Sequence, residues 1–76
     1  MKEPAPSDDR LRRFGSSVRE HRKGLGLSQE ALAEAARLDQ TYVSGIETGR
    51  RNPTLRVLFR LADALDRSPA DLLSGV

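Results

Sequence analysis

The chain has 76 residues, a formal net charge of +2 and no cysteine. Its length is that of one small domain, and the missing thiols exclude disulfides, zinc–thiolate centres and cysteine nucleophiles. A single histidine cannot hold a metal ion by itself, and no apolar run approaches the roughly 18 residues that a membrane span needs. We therefore expect no metal, no cofactor and no contact with a membrane.

The basic residues are mostly arginine, and they are clustered along the chain. Arginine presents a planar, bidentate set of donors that fits phosphate and base edges. One surface arginine needs no explanation beyond solubility, but the clusters together indicate a polyanionic partner. The clusters are Arg10, Arg12 and Arg13; Arg19, Arg22 and Lys23; and Arg50, Arg51, Arg56 and Arg60.

A first helix is predicted after a proline-containing segment, residues 1–6, for which we expect a disordered arm. Ser7 is placed to cap this helix, with acidic residues in its first turn, and Gly24 and Gly26 end it. Steps of three and four between apolar positions, with one arginine among them, predict a buried face. This face comprises Leu11, Phe14, Val18, Arg22 and Leu25.

Two short helices are predicted next, over 29–36 and 40–48, joined by three residues. Ser28 caps the first helix and Asp39 caps the second, which ends at Gly49. The positions expected inside are Leu32, Ala33, Ala36, Val43 and Ile46.

A fourth helix is predicted from Leu55 to about Asp66, capped by Thr54 after a loop over 50–53. Its inner stripe is Leu55, Leu58, Ala62 and Leu65. A short fifth helix starts with the capping-box pattern Ser68-Pro69-Ala70-Asp71 and carries Leu72 and Leu73. With no strand-like alternation, residues 7–76 are expected to form one all-α domain of five helices.

Two short helices joined by three residues have the spacing of a helix-turn-helix, whose second helix fits the major groove of B-form DNA. The stretch from Leu25 to Leu55 resembles the phage-repressor and Cro-like helix-turn-helix family, and the resemblance extends over about 11–74. It is also similar, within that family, to the small dimeric controller proteins of restriction–modification systems. The residues that carry the resemblance are Leu27-Ser28-Gln29, Ile46-Glu47, Gly49 and Asn52-Pro53-Thr54-Leu55. It implies a five-helix, lambda-repressor-like fold that binds double-stranded DNA.

The resemblance also implies roles for individual residues. The helical wheel agrees for the third helix, because Val43 and Ile46 define its inner face and the polar residues then point away. The expected base-reading residues are Gln40, Thr41, Tyr42, Ser44 and Gly45, with Gln40 suited to adenine. The expected DNA-backbone contacts are Ser28, Gln29, Thr48, Arg50, Arg51, Asn52 and Thr54. Gly45 is costly inside a helix, and we interpret it as room for DNA to approach the backbone.

Two further features of the chain concern structure more than DNA. The family pairs the positions of Arg22 and Glu47 as an ion pair between the first and third helices, so we expect that pair here. The family usually has glycine at the position of Arg37, where the backbone is left-handed, and arginine would be strained there by roughly 1–2 kcal/mol. We therefore expect an adjusted turn.

The expected partners are DNA, a second copy of the chain and RNA polymerase. Glu30 and Glu34 are candidates for the polymerase contact, and no small-molecule ligand is expected. The expected two-fold interface comprises Phe59, Leu72, Leu73 and Val76.

His21 is expected at the surface, and because no motif gives it a nucleophile we expect no enzyme activity. The sequence thus predicts a cytoplasmic, homodimeric transcription regulator, activator or repressor, on a palindromic operator. The alternative is a protein-interaction module on the same scaffold, such as the antidote to a toxin or a bridging factor.

Overall fold

The computed structural model of the protein describes residues 9–76, which fold into five α-helices without a strand. The helices are α1 (Asp9–Gly24), α2 (Gln29–Ala36), α3 (Gln40–Glu47), α4 (Leu55–Ala64) and α5 (Pro69–Leu73). None of them is long and apolar enough to cross a bilayer. The predicted all-helical fold is confirmed, whereas the predicted arm over 1–6 and the cap at Ser7 lie outside the described residues.

The helix starts from α2 onward lie where the capping residues predict them. Ser28, Asp39 and Thr54 each precede a helix, and each side chain accepts a hydrogen bond from a backbone N–H in the first turn. Ser68 and Asp71 form a reciprocal capping box in which each side chain accepts from the other's N–H at 3.1 Å. The hydrogen bond that the Ser68 N–H donates to the Asp71 carboxylate, together with a contribution from the Ser68 side chain, lowers the pKa of Asp71 below its ordinary value. Satisfied first-turn donors fix the helix boundaries.

The core forms where α3 packs against both α1 and α2, α4 packs against α2, and α5 contacts α1 and α4. Burial of apolar surface at about 25 cal/mol per Å² is the main stabilising contribution in such a core. The buried apolar residues are Phe14, Val18, Leu32, Ala33, Ala36, Val43, Ile46, Leu58, Leu61, Ala62, Leu65 and Leu72.

Two leucines that periodicity places in the core are exposed. Leu25 is 50% exposed because α1 ends at Gly24, so the residue belongs to the following turn. Leu55 is 69% exposed because it is the first residue of α4, where side chains lean back toward the helix N-terminus. Leu61, which is not on the predicted stripe, is fully buried. The predicted inner face of α4 was therefore wrong at its first position and incomplete at Leu61.

Gly15 marks the closest approach of α1 to α3. A β-carbon built on Gly15 would lie 2.2 Å from the carbonyl oxygen of Ile46 and 2.6 Å from that of Glu47. Both neighbours are backbone atoms, which cannot swing aside as a flexible side chain can. The absence of a side chain at Gly15 therefore allows α1 to pack directly against the backbone at the end of α3.

Candidate nucleic-acid interface

The turn between α2 and α3 is held by backbone hydrogen bonds and one left-handed residue. The N–H of Leu38 donates to the carbonyl of Ala33 at 2.8 Å, and the N–H of Arg37 donates to that of Glu34 at 3.2 Å. Arg37 has φ 60° and ψ 46°, so it adopts the conformation that glycine adopts most readily. The expectation of an adjusted turn was wrong: the arginine takes the left-handed conformation itself.

The predicted ion pair between α1 and α3 is present and is part of a larger network. Arg22 donates from Nε to Oε2 of Glu47 at 2.7 Å and from Nη2 to Oε1 at 3.0 Å. Gln29, the first residue of α2, donates from Nε2 to the same Oε1 at 3.0 Å. The hydrogen bonds to Glu47 raise the pKa of Arg22, although burial acts in the opposite direction. One carboxylate of α3 thus joins this helix to both α1 and α2.

Arg22 makes a further hydrogen bond, from Nη1 to the carbonyl oxygen of Leu27 at 2.8 Å. Arg22 and Glu47 are each only 8% exposed, and every buried side-chain nitrogen or oxygen within residues 9–76 has a hydrogen-bond partner. A buried charge needs such complete pairing, since an unpaired one is strongly destabilising. These residues therefore hold the scaffold together and are not available to contact DNA.

The side of α3 that faces away from the core carries the predicted base-reading residues. Gln40 and Thr41 are exposed, whereas Tyr42, Ser44 and Gly45 are half-buried. At 100° per residue, Thr41 and Gly45 lie nearly opposite the buried side formed by Val43, Ile46 and Glu47. Tyr42 lies closer to the core and packs partly against it. α3 thus has one polar edge that faces away from the core.

The space beside Gly45 is occupied by another part of the same chain. A β-carbon at Gly45 would lie 2.6 Å from Cγ of Arg51. The guanidinium carbon of Arg51 in turn lies 5.8 Å from the centroid of the Tyr42 ring. The sequence-based interpretation of Gly45 as open room for DNA was therefore wrong, because the Arg51 side chain already fills that space.

The loop after α3, which was predicted to contact phosphates, is attached to the helix by its backbone. The N–H groups of Arg50 and Arg51 both donate to the carbonyl of Gly45, at 2.8 and 3.2 Å. Arg50, Arg51 and Asn52 are exposed, as is Thr54 at the start of α4. The loop therefore places positive charge directly beside the polar edge of α3.

Four of the predicted backbone-contacting side chains already make hydrogen bonds within the protein. Ser28 and Thr54 accept from N–H groups as helix caps, which leaves their hydroxyl hydrogens available. The side-chain amide of Gln29 donates one N–H to Glu47, and its second N–H remains available as a donor. The hydroxyl of Thr48 donates to the carbonyls of Ser44 and Gly45, at 3.0 and 3.2 Å, and this contact competes with the predicted donation to a phosphate.

The predicted two-fold interface divides into exposed and buried residues. Phe59 and Leu73 are 50% and 46% exposed. Leu72 is fully buried inside the monomer, so its predicted place in the interface was wrong. A side chain that has no solvent-exposed surface in the monomer has none left to bury on dimerisation. Val76 is half-buried against the core, and its carbonyl accepts a hydrogen bond from Nη1 of Arg13 at 3.2 Å.

Leu55 was missed as a surface residue and extends this exposed apolar area. It lines the same groove as Leu73 and Val76, and it precedes Phe59 by one helical turn of α4. The four-residue spacing between Leu55 and Phe59 was the available signal in the sequence, because residues at that spacing share a helix face. We refer to Leu55, Phe59 and Leu73 as the α4–α5 apolar surface.

The remaining candidates are at the periphery of the site. Glu30 and Glu34 are exposed on α2. His21, which was expected at the surface, is half-buried, and its Nδ1 donates to the carbonyl of Ser17 at 2.8 Å. Within the described residues, the side chain of His21 therefore makes a local hydrogen bond to the backbone of its own helix, α1.

Comparison with known proteins shows that the chain is similar to a family model, to a curated relative and to solved structures of controller proteins. Residues 18–72 match the family model of the helix-turn-helix domain. An uncharacterized HTH-type transcriptional regulator of Sinorhizobium fredii, y4dJ, is 38% identical over 66 residues, which are 87% of this chain and 86% of the relative. The crystal structure of the restriction–modification controller protein C.AhdI from Aeromonas hydrophila superposes with a TM-score of 0.81 and 48% identity, covering 82% of this chain and 94% of that one. A further controller protein, C.Esp1396I, was solved as a tetramer in complex with its natural 35 base-pair operator; it has a TM-score of 0.78 and 32% identity, covering 86% of each chain.

Proposed function

The chain belongs to the helix-turn-helix family of DNA-binding transcriptional regulators, and from that membership we propose that it acts as a homodimer on a palindromic operator. α3 enters the major groove, and Gln40, Thr41, Tyr42 and Ser44 contribute to the surface that faces the base edges. Ser28, Gln29, Arg50, Asn52 and Thr54 contact the flanking phosphates, which supply affinity but no sequence readout.

The observation that carries this proposal is the rigid support of an exposed polar edge. The Glu47 carboxylate joins α3 to Arg22 of α1 and Gln29 of α2, so the helix cannot rotate independently of the domain. A reading helix must be held in this way, because its side chains need to meet base edges in a fixed register. The adjoining loop supplies the positive charge that phosphate contacts require.

The α4–α5 apolar surface supports the proposed homodimer. Leu55, Phe59 and Leu73 are large apolar side chains left between 46% and 69% exposed in one copy of the chain, and a group of exposed apolar side chains of this kind marks an interaction site. Two copies joined there would present two α3 helices about 34 Å apart, one turn of DNA.

A DNA selection followed by a salt series tests the proposed function. The purified chain is incubated with a random pool of duplexes, and the affinity for the enriched sequence is then measured between about 50 and 200 mM salt. We expect a two-fold symmetric site and a linear fall of log K against log salt. A protein-interaction module on this scaffold would enrich no sequence and would bind DNA weakly at every salt concentration.

We propose further that the regulated genes are those of a restriction–modification system. The support is the 48% identity to the controller protein C.AhdI, most of whose length this chain covers. Deleting the gene and measuring the transcripts of the host's DNA methyltransferase and endonuclease genes tests this. Altered transcript levels are expected, and unchanged levels of both would contradict the assignment.

Because a regulator of this kind acts by binding, we propose that the chain has no catalytic activity of its own. We place it in the cytoplasm because its proposed ligand is there. The exposed carboxylates Glu30 and Glu34 on α2 are the surface we assign to contact with RNA polymerase when the operator lies next to a promoter.

A further inference from the structure

The side chain of Arg51 lies back along the polar edge of α3. Its Cγ, Nε and Cδ atoms would meet a β-carbon at Gly45 at 2.6, 3.4 and 3.6 Å, so its aliphatic stem crosses the helix at this glycine. Gly45 belongs to the part of α3 most nearly opposite the buried Val43 and Ile46. The stem of Arg51 therefore covers the part of the helix that points most directly away from the core.

The far end of the Arg51 side chain is also held in place. Its guanidinium carbon lies 5.8 Å from the centroid of the Tyr42 ring, within the range of a cation–π contact. Its backbone N–H is fixed to the carbonyl of Gly45. Among residues 9–76 the guanidinium makes no hydrogen bond or ion pair, so all of its donors remain available to a ligand.

An arginine held on the reading side of the helix has a different role from one that reaches a phosphate. Bidentate donation to O6 and N7 of guanine is the commonest specific arginine contact in the major groove. The contact with Tyr42 restricts the flexible Arg51 side chain before binding, which lowers the entropic cost of ordering it on the DNA. Phosphate contact needs only charge within reach, and would not require a glycine to make room for the stem.

We propose that Arg51 is a base-reading residue that recognises a guanine in each half-site, with Gly45 and Tyr42 as its positioning residues. This inference rests on the proposed DNA-binding function and changes the sequence-based expectation that Arg51 contacts phosphate. It adds a residue of the loop, outside α3, to the reading surface. Arg50, its exposed neighbour, keeps the phosphate role.

The test uses the operator enriched by the wild-type chain and a set of duplexes in which each guanine is replaced in turn. Affinities are measured for the wild type, Arg51→Lys, Arg51→Ala and the matched control Arg50→Ala. The wild type should discriminate at one guanine per half-site by roughly 5- to 150-fold. Arg51→Lys keeps the charge but loses the bidentate, stacking group, so it should lose discrimination at that guanine alone.

The controls separate this role from a phosphate contact. Arg50→Ala should weaken binding to all duplexes alike and lower the salt slope by about one per subunit, with base preference unchanged. Gly45→Ala should reduce discrimination at the same guanine although Arg51 is present, because the new methyl displaces its stem. The melting temperature of this variant should rise, since alanine favours a helix over glycine.

Two outcomes overturn the inference. Arg51→Lys could retain full discrimination at every guanine, or Arg51→Ala could weaken binding to all duplexes by one factor; either result returns Arg51 to the phosphate contacts. Either outcome leaves the proposed function intact, because each is measured on an operator that the wild-type chain binds specifically. If the wild-type chain itself enriches no sequence, the proposed function fails and this inference fails with it.

Discussion

Arg22 and Glu47 are 25 residues apart in the chain, yet their side chains form a doubly hydrogen-bonded ion pair that is almost fully buried. The pair does not have to stabilise the fold more than an apolar pair would, because desolvation of both charges offsets much of their attraction. Its consequence is geometric. The planar, bidentate contact allows one orientation of α3 relative to α1, and Gln29 fixes α2 to the same carboxylate.

Replacement of Glu47 by glutamine tests this relationship. Glu47→Gln keeps the shape of the side chain but leaves the Arg22 guanidinium buried without a counter-charge, so we expect a loss of about 3–5 kcal/mol in the free energy of unfolding. Urea denaturation measures it. Asp39→Asn, a neutralised carboxylate at an exposed helix cap, is the control and should change stability little, because asparagine caps helices as well as aspartate does. A similar small effect for both variants would contradict the structural role of the pair.

Gly15 gives a second test of how α3 is supported. Gly15→Ala would place a methyl group against the backbone of Ile46 and Glu47, and we expect a loss of about 1–3 kcal/mol or more from forced separation of the helices. Thermal or urea denaturation measures the change. Gly24→Ala is the matched control, since a β-carbon there meets nothing within 4 Å. Equal stability of the two variants would show that α1 and α3 are not in close contact.

The boundaries of most helices could be predicted because they depend on local chemistry. Ser28, Asp39, Thr54 and Ser68 cap helices through hydrogen bonds to residues two or three positions away. Such contacts are visible in the sequence as a polar residue before an apolar periodicity. Leu55 follows the same periodicity but is exposed, because it is the first residue of α4 and a period does not reveal whether a helix end is covered by the rest of the fold.

Gly15 and Arg51 could not be assigned from the sequence for a different reason. The role of Gly15 depends on the crossing of α1 over α3, and that of Arg51 depends on a loop folding back over the helix that precedes it. Both are tertiary contacts between segments whose relative placement no local pattern specifies. The ion pair of Arg22 and Glu47 was predictable only because the resemblance to a known family implied it.

The left-handed Arg37 predicts a stabilising substitution. Arg37→Gly removes the steric cost of a β-carbon at φ 60°, and although glycine also gains freedom in the unfolded chain, we expect a net gain of up to about 1 kcal/mol. Arg37→Ala removes the same side chain but keeps the β-carbon, so it should give no such gain. The two free energies of unfolding are compared by urea titration. A gain of equal size in both variants would mean that loss of the arginine side chain, and not relief of strain, is the cause.

Leu72 and Leu73 are adjacent in the chain but should have separable effects. Leu72 is fully buried in the monomer, so Leu72→Ala should lower the free energy of unfolding by about 2–5 kcal/mol. Leu73 is 46% exposed on the α4–α5 apolar surface, so Leu73→Ala should leave the monomer folded and raise the dimer dissociation constant on the order of tenfold. Circular dichroism follows folding and sedimentation equilibrium follows dimerisation. An unchanged dissociation constant for Leu73→Ala would place the two-fold contact elsewhere.

The central claim is that the polar edge of α3 reads base edges in the major groove, and selection of DNA by the Gln40→Ala variant beside the wild type tests it most directly. Gln40 is exposed at the start of α3, so its loss should not disturb the fold. We predict that the wild type enriches a two-fold symmetric site and that Gln40→Ala enriches the same site with one position per half-site relaxed, at a cost of about 1–3 kcal/mol in discrimination. Identical preferences for the two proteins, or no enrichment by either, would contradict the account.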